Sequence, residues 1–255
     1  MSVFEAYLFD VDGTLADTEQ GHLVAFNKAF VDAGLSWNWS TELYLELLSV
    51  TGGKERMRHY LEQYDPPFEA KTADLIDYFA TLHAAKTEHY KKLVADGGVT
   101  LRPGVERLLN EAKQANIRLA IATTTTIHNV TALLENTLGA SSIDWFELIA
   151  AGDIVPKKKP APDIYDYTMR EMGLVAEQCL AFEDSGNGIQ SSKAASLKTL
   201  ITVNDFTSGH DFSSAELIVS DLGEPGKPMR VIGGELAERF TDVHIMDVES
   251  LNLMA

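Results

Sequence analysis

Residues 5–14 read Glu5-Ala6-Tyr7-Leu8-Phe9-Asp10-Val11-Asp12-Gly13-Thr14. A short apolar run stops abruptly at two aspartates and a Gly-Thr turn. Such a run, bounded by turn residues, predicts a buried strand. In an open parallel sheet, ligands sit outside the carboxyl ends of the strands. The point where polarity begins is therefore where chemistry is expected.

Downstream, a helical pattern starts near Asp17, and no strong strand appears before about Val94. Leu43, Leu47 and Val50 recur at helical spacing, as do Leu75, Phe79 and Leu82, then Tyr90 and Leu93. Pro66-Pro67 breaks this region once. After the Asp96-Gly97-Gly98 turn, helices and strands alternate. A helix opening at Pro103 carries Val105, Leu108, Leu109 and Ala112 on one face. Strands are predicted over 117–122, 146–150, 179–182, 197–203 and 217–219. The helices between them centre on Val130 to Leu138, on 162–172 and on 185–195. Beyond Gly223 the pattern weakens, with 243–246 as a candidate strand. Alternating strands and helices imply parallel pairing with right-handed crossovers. The expected fold class is α/β. A doubly wound, Rossmann-like parallel sheet forms a core of residues 1–16 and 95–255, and a small α-helical cap domain, 17–94, is inserted after the first strand.

The chain has 255 residues, is 45% hydrophobic and 23% charged, which fits a globular protein and excludes disorder throughout. No apolar run approaches the roughly 18 residues of a membrane span, and the first residues do not read as a signal peptide. Cys179 is the only cysteine, so no internal disulfide forms and a reducing compartment is expected. With 21 basic and 38 acidic residues, the formal charge is −17. That balance disfavours nucleic acid and anionic lipid. An anionic ligand would need a metal or a few placed cations to offset the field.

The strand ends supply such a set. The first ends in Asp10 to Thr14, the second in Thr123-Thr124-Thr125-Thr126, and a later one in Glu183-Asp184-Ser185-Gly186. Between them lies Lys157-Lys158-Lys159-Pro160. Taken singly, the Thr run is a helix cap, the Lys run a solvated loop, and Glu183-Asp184 a helix-capping pair. Together, carboxylates, hydroxyls and a lysine suit a hard divalent cation bridging to a phosphate. Asp10 can attack phosphorus, and Asp12 can protonate the leaving oxygen and then activate water. Asp184 is a further metal ligand. Thr123 can bind a phosphoryl oxygen, and Lys159 can offset its charge.

These four motifs resemble those of the haloacid dehalogenase-like hydrolase superfamily. FDVDGT resembles its first motif, with Asp10 as nucleophile and Asp12 as acid/base, and IATT its second, with Thr123 and Thr124 at the phosphate. KPAPD resembles the third, with Lys159 on the phosphate, and FEDSGNGI the fourth, with Glu183 and Asp184 on the metal side. The resemblance covers about residues 1–220. It implies Mg²⁺ held by Asp10, Asp12, Glu183 and Asp184. The presence of Asp12 points to phosphate monoester transfer. His22 stands where the β-phosphoglucomutase branch has a cap-hinge histidine, and Glu19 shares its helix turn. ADTEQGHLVAFNKAF, VTGGKERMRHYL and LAIATTTT are similar to the CbbY-type phosphatases. That likeness implies hydrolysis of the sugar bisphosphate xylulose-1,5-bisphosphate to xylulose-5-phosphate. The second phosphate would then need cap cations from Lys54, Arg56 and Arg58, with help from Thr125 or Thr126. A sugar-phosphate mutase is the alternative reading, and a catalytically silent binding protein the remote one. The expected partner is a small molecule, with no nucleic acid and no membrane. The expected state is a monomer in the cytoplasm, or in a plastid stroma if a transit peptide has been removed.

Overall fold

The computed structural model describes residues 3–68 and 74–255. Strand β1 (Ala6–Phe9) is followed by four helices, α1 (Glu19–Asp32), α2 (Thr41–Leu47), α3 (Gly53–Tyr64) and α4 (Leu75–Ala95). The alternating part then runs α5 (Val105–Gln114), β2 (Arg118–Thr123), α6 (Ile127–Leu138), β3 (Leu148–Ala151), α7 (Asp163–Met172), β4 (Cys179–Glu183), α8 (Gly186–Ala194), β5 (Lys198–Thr202), β6 (Leu217–Val219) and β7 (Val231–Gly233). The seven strands form one sheet in the order β3-β2-β1-β4-β5-β6-β7. The first six pair in parallel, and β7 runs antiparallel to β6.

Every residue of β1 is buried, as expected for a central parallel strand covered on both faces. Tyr7 and Phe9 point into a cluster that includes Leu108, Leu109, Leu133 and Leu134 of α5 and α6. Ala6 and Leu8 point the other way, toward Ile164, Tyr165 and Met169 of α7. The helical insert has its own aromatic cluster around Phe26, Phe30, Trp37, Trp39 and Tyr44. Chain order reverses at β1, which lies between β2 and β4, so a crevice opens at their carboxyl ends.

One expected strand is absent and one unexpected strand is present. Residues 243–246 form no strand. Met246 N donates to Leu222 O and Met229 N to His244 O, and these bonds make no ladder. Their apolar character reflects packing against the core cluster. The added strand is β7, a three-residue edge whose Ile232 is 53% exposed; a short half-exposed edge lacks periodicity. Among the described residues, no helix is long and apolar enough to cross a membrane.

Candidate active site

The crevice holds a cavity of about 460 Å³ between the sheet and the insert. Asp10 follows β1 directly, and its N–H donates to Phe182 O at 3.0 Å, continuing the pairing with β4. Lys159, from the loop before α7, is buried and donates from Nζ to Asp10 Oδ1 at 2.7 Å and to Glu183 Oε1 at 2.5 Å. Tyr165 Oη donates to the same Glu183 oxygen at 2.6 Å. Glu183 Oε2 is buried with no hydrogen-bond partner. Asp184 accepts from Asn204 Nδ2 at 2.7 Å.

Oxygens of Asp10, Glu183 and Asp184 lie within 4.8 Å of one another, all three residues buried. Burial pushes Asp10 up to about 7; the charges of Glu183 and Asp12 add to the rise, and Lys159 opposes it. Asp184 is raised well above the carboxylate range, by burial and then by Asp10 and Glu183. Burial opposes the charged form of Lys159, but the two carboxylates outweigh it and hold the ammonium firmly protonated. The three carboxylates, one Glu183 oxygen among them unpartnered, form an oxygen donor set suited to a hard divalent cation, with the Lys159 ammonium beside them.

The backbone makes room for this crowding. Gly13 sits at φ +78°, and a Cβ there would overlap the Asp184 carboxylate. A Cβ at Gly188, in the first turn of α8, would overlap the Glu183 carboxylate.

The Asp12 carboxylate is turned away from this cluster. It lies 2.9 Å from His22 Nε2, and His22 Nδ1 lies 2.8 Å from Lys86 Nζ. An ammonium carries only donors, so Nδ1 accepts from Lys86 and Nε2–H donates to Asp12. Burial works against the ionised form of Asp12. The N–H that His22 donates, with the Lys86 charge behind it, outweighs burial and holds the carboxyl below its ordinary range. Lys86 is buried over the rings of Phe26 and Tyr90, and burial lowers it to about 8.

Thr123 ends β2 and is buried, with Thr124 next to it on the cavity wall. Thr125 Oγ1 accepts from Asn129 Nδ2 at 3.0 Å, and Thr126 Oγ1 caps α6 by accepting from Asn129 N. On the insert side, Glu19 accepts from Tyr44 Oη at 2.7 Å, and Arg56 donates to that hydroxyl at 3.0 Å. Lys54 also lines the cavity and pairs with Asp153 at 2.6 Å. Asp153 meets Lys158 at 2.9 Å, and Lys158 meets Glu55 at 3.0 Å. Four alternating charges thus join the insert to the core at the cavity mouth.

Arg58 is exposed and outside the cavity lining. Two residues along a helix turn a side chain about 200°, and Arg58 faces away where Arg56 faces in. Lys86 and Lys158 fill the cationic wall instead, with the uncharged His83 ring between the lining residues. The sequence carried one signal for Lys86: it continues the stripe of Phe79, Leu82 and Tyr90 in α4, a lysine where apolar residues recur. Lys158 stood in the Lys157-Lys158-Lys159 run, which taken singly read as a solvated loop; Tyr165 and Asn204 carried no signal.

Residues 4–196 match the family of haloacid dehalogenase-like hydrolases. Protein CbbY of Cupriavidus necator is 46% identical over 239 residues, covering 94% of each chain. The crystal structure of CbbY from Rhodobacter sphaeroides in complex with phosphate superposes with a TM-score of 0.81 at 43% identity, covering 86% of this chain and 94% of that one. A mutant of that protein in complex with xylulose-(1,5)bisphosphate gives 0.80 over the same share of each chain, also at 43% identity. Carboxylates at the ends of β1 and β4, a buried lysine between them and relatives of this closeness agree: the chain is a phosphatase belonging to the haloacid dehalogenase-like hydrolases, on their CbbY branch.

Proposed function

We propose that the chain is a Mg²⁺-dependent phosphatase of sugar bisphosphates, converting xylulose-1,5-bisphosphate to xylulose-5-phosphate and phosphate. The observation that carries this reading is the division of labour between the two aspartates. Asp10 stands among Lys159, Glu183 and Asp184, whereas Asp12, two residues on, is held by His22. One carboxylate is placed for phosphorus and the other for a proton.

In this reading Asp10, Glu183 and Asp184 hold the cation, and the Asp12 carboxylate is left for proton transfer. Bound Mg²⁺ would lessen repulsion between Asp10 and the phosphoryl dianion and favour ionised Asp10. An Asp10 oxygen attacks phosphorus, and the bond from phosphorus to the sugar oxygen breaks. As the phosphoryl dianion enters, its like charge raises the proton affinity of Asp12, which takes up a proton from solvent and gives it to that oxygen. Water then attacks the aspartyl-phosphate, Asp12 takes the proton, and phosphate leaves with Asp10 restored. Lys159, Thr123 and Thr124 hold the transferring group. Glu19 and His22 meet the sugar, and Lys54, Arg56, Thr125 and Thr126 take the second phosphate.

Residues 17–94 act as the cap, which sets substrate range by closing over the cavity. The cationic wall supports a substrate with two phosphates, as does the sugar bisphosphate bound by the Rhodobacter sphaeroides protein. The buried lone Cys179 supports a reducing location, and we place the enzyme in the cytoplasm as a monomer.

The test is phosphate release with Mg²⁺ from xylulose-1,5-bisphosphate, ribulose-1,5-bisphosphate, β-glucose-1-phosphate and phosphoglycolate. A large preference for the xylulose compound in kcat/KM is expected. Comparable weak rates on all four would overturn the substrate. Isomerisation of the glucose phosphate without phosphate release would make the enzyme a mutase.

A further inference from the structure

The chain crosses between core and insert twice, and the crossings are stitched together. Ala16 and Leu101 form an antiparallel bridge. Asp17 N donates to Thr100 O at 3.2 Å and Arg102 N to Leu15 O at 2.9 Å. The side chain of Arg102 is buried and does not reach the cavity. Its guanidinium donates to four carbonyls: Gly13 O, Thr202 O at 3.0 Å, Val203 O at 2.7 Å and Ser220 O at 2.6 Å. The nearest carboxylate, Asp17, stands 3.7 Å from Nε. A planar fork of five N–H donors satisfies several carbonyls at fixed angles, which a lysine cannot.

These partners matter by position. Gly13 follows Asp12 directly, in the turn whose tightness lets Asp184 approach. Val203 precedes Asn204, whose amide holds Asp184 at 2.7 Å. One residue therefore touches the pivot of the insert, the turn carrying Asp12 and the loop that orients Asp184. We infer that Arg102 is a positioning residue that ties the hinge of the insert to the placement of Asp12 and Asp184. When the insert swings, the 100–102 segment moves with it, and the guanidinium transmits the movement to the Gly13 and Val203 carbonyls. Its link to the cation rests on the assignment of Asp10, Glu183 and Asp184 proposed above.

Arg102→Lys is the first variant, because it keeps the charge; Asn204→Ala interrupts the same path without touching the buried cation. The readouts are thermal unfolding, Mg²⁺ binding by calorimetry, and amide exchange at Gly13, Asp17 and Phe206. For both folded variants we expect Mg²⁺ affinity to fall about 10- to 100-fold, as when groups orienting a ligand are removed. Exchange at Gly13 and Asp17 should quicken in Arg102→Lys, with strand amides of β1 and β4 unchanged. A folded Arg102→Lys with wild-type metal affinity and exchange would overturn the inference. So would a uniform rise in exchange across the sheet, the mark of a merely structural role. If the wild type itself binds no Mg²⁺, the metal assignment fails and the exchange pattern alone decides the role of Arg102.

Discussion

A methyl group at Gly188 would occupy the space of the Glu183 carboxylate. Gly188→Ala should therefore turn that carboxylate out and weaken Mg²⁺ binding at least about tenfold, measured by calorimetry. Asp10→Asn should fold normally and lose phosphate release by at least about a thousandfold, because an amide cannot form the acyl-phosphate. His83 behaves differently. Burial first, and then Lys86, Lys54 and Lys158, hold its pKa down at about 3. The unfolded chain takes up this proton near pH 6.5, while the folded chain refuses it until about 3. Stability should therefore fall as pH drops across that interval, by at most about 1.4 kcal/mol per pH unit from this residue. Urea unfolding between pH 6.5 and 4.5 should show a shallower fall in His83→Gln; equal slopes would refute it. Asp10, Asp12, Thr123, Glu183 and Asp184 were legible in the sequence as candidates because each sits at or beside a strand end, where chain direction fixes position; Lys159, in the loop before α7, was legible only through its KPAPD run. Arg56 and Arg58 were not separable, since which face of α3 meets the cavity is decided by packing against α4.

At the scale of elements, the Gly52-Gly53 pair shows how α3 reaches the cavity. A Cβ at Gly53 would lie 2.5 Å from the His83 ring and 3.2 Å from Phe26. Gly53→Ala should overpack that contact and cost about 1–3 kcal/mol of stability, read from the urea midpoint at constant m. Activity should fall with it, since α3 carries Lys54 and Arg56. The strands of the doubly wound sheet were legible because buried parallel strands are continuous apolar runs. The region after Gly223 resisted, because its segments pack on the sheet edge through single residues such as Phe240, Met246 and Leu251. Isolated anchors leave no period to read.

Across the whole molecule the formal charge is −17, and folding buries three of the carboxylates side by side at the site, with one lysine bonded to two of them. A divalent cation that binds only the folded form stabilises it by mass action. Mg²⁺ at 100 times its Kd should add about 2.7 kcal/mol, seen as a rise in Tm that EDTA reverses and that KCl of equal ionic strength does not reproduce. The two crossings of the chain carry a different consequence. Ala16 and Leu101 are paired neighbours, so the cut ends of the core stand one strand spacing apart, about 5 Å. The residues between them could be excised and the gap closed with a tight hairpin, leaving the sheet continuous. The same two points would accept a foreign insert of any length whose ends meet. If the insert sets substrate range as proposed, the strands that carry Asp10, Glu183 and Asp184 would be retained in such an exchange while the substrate range changed.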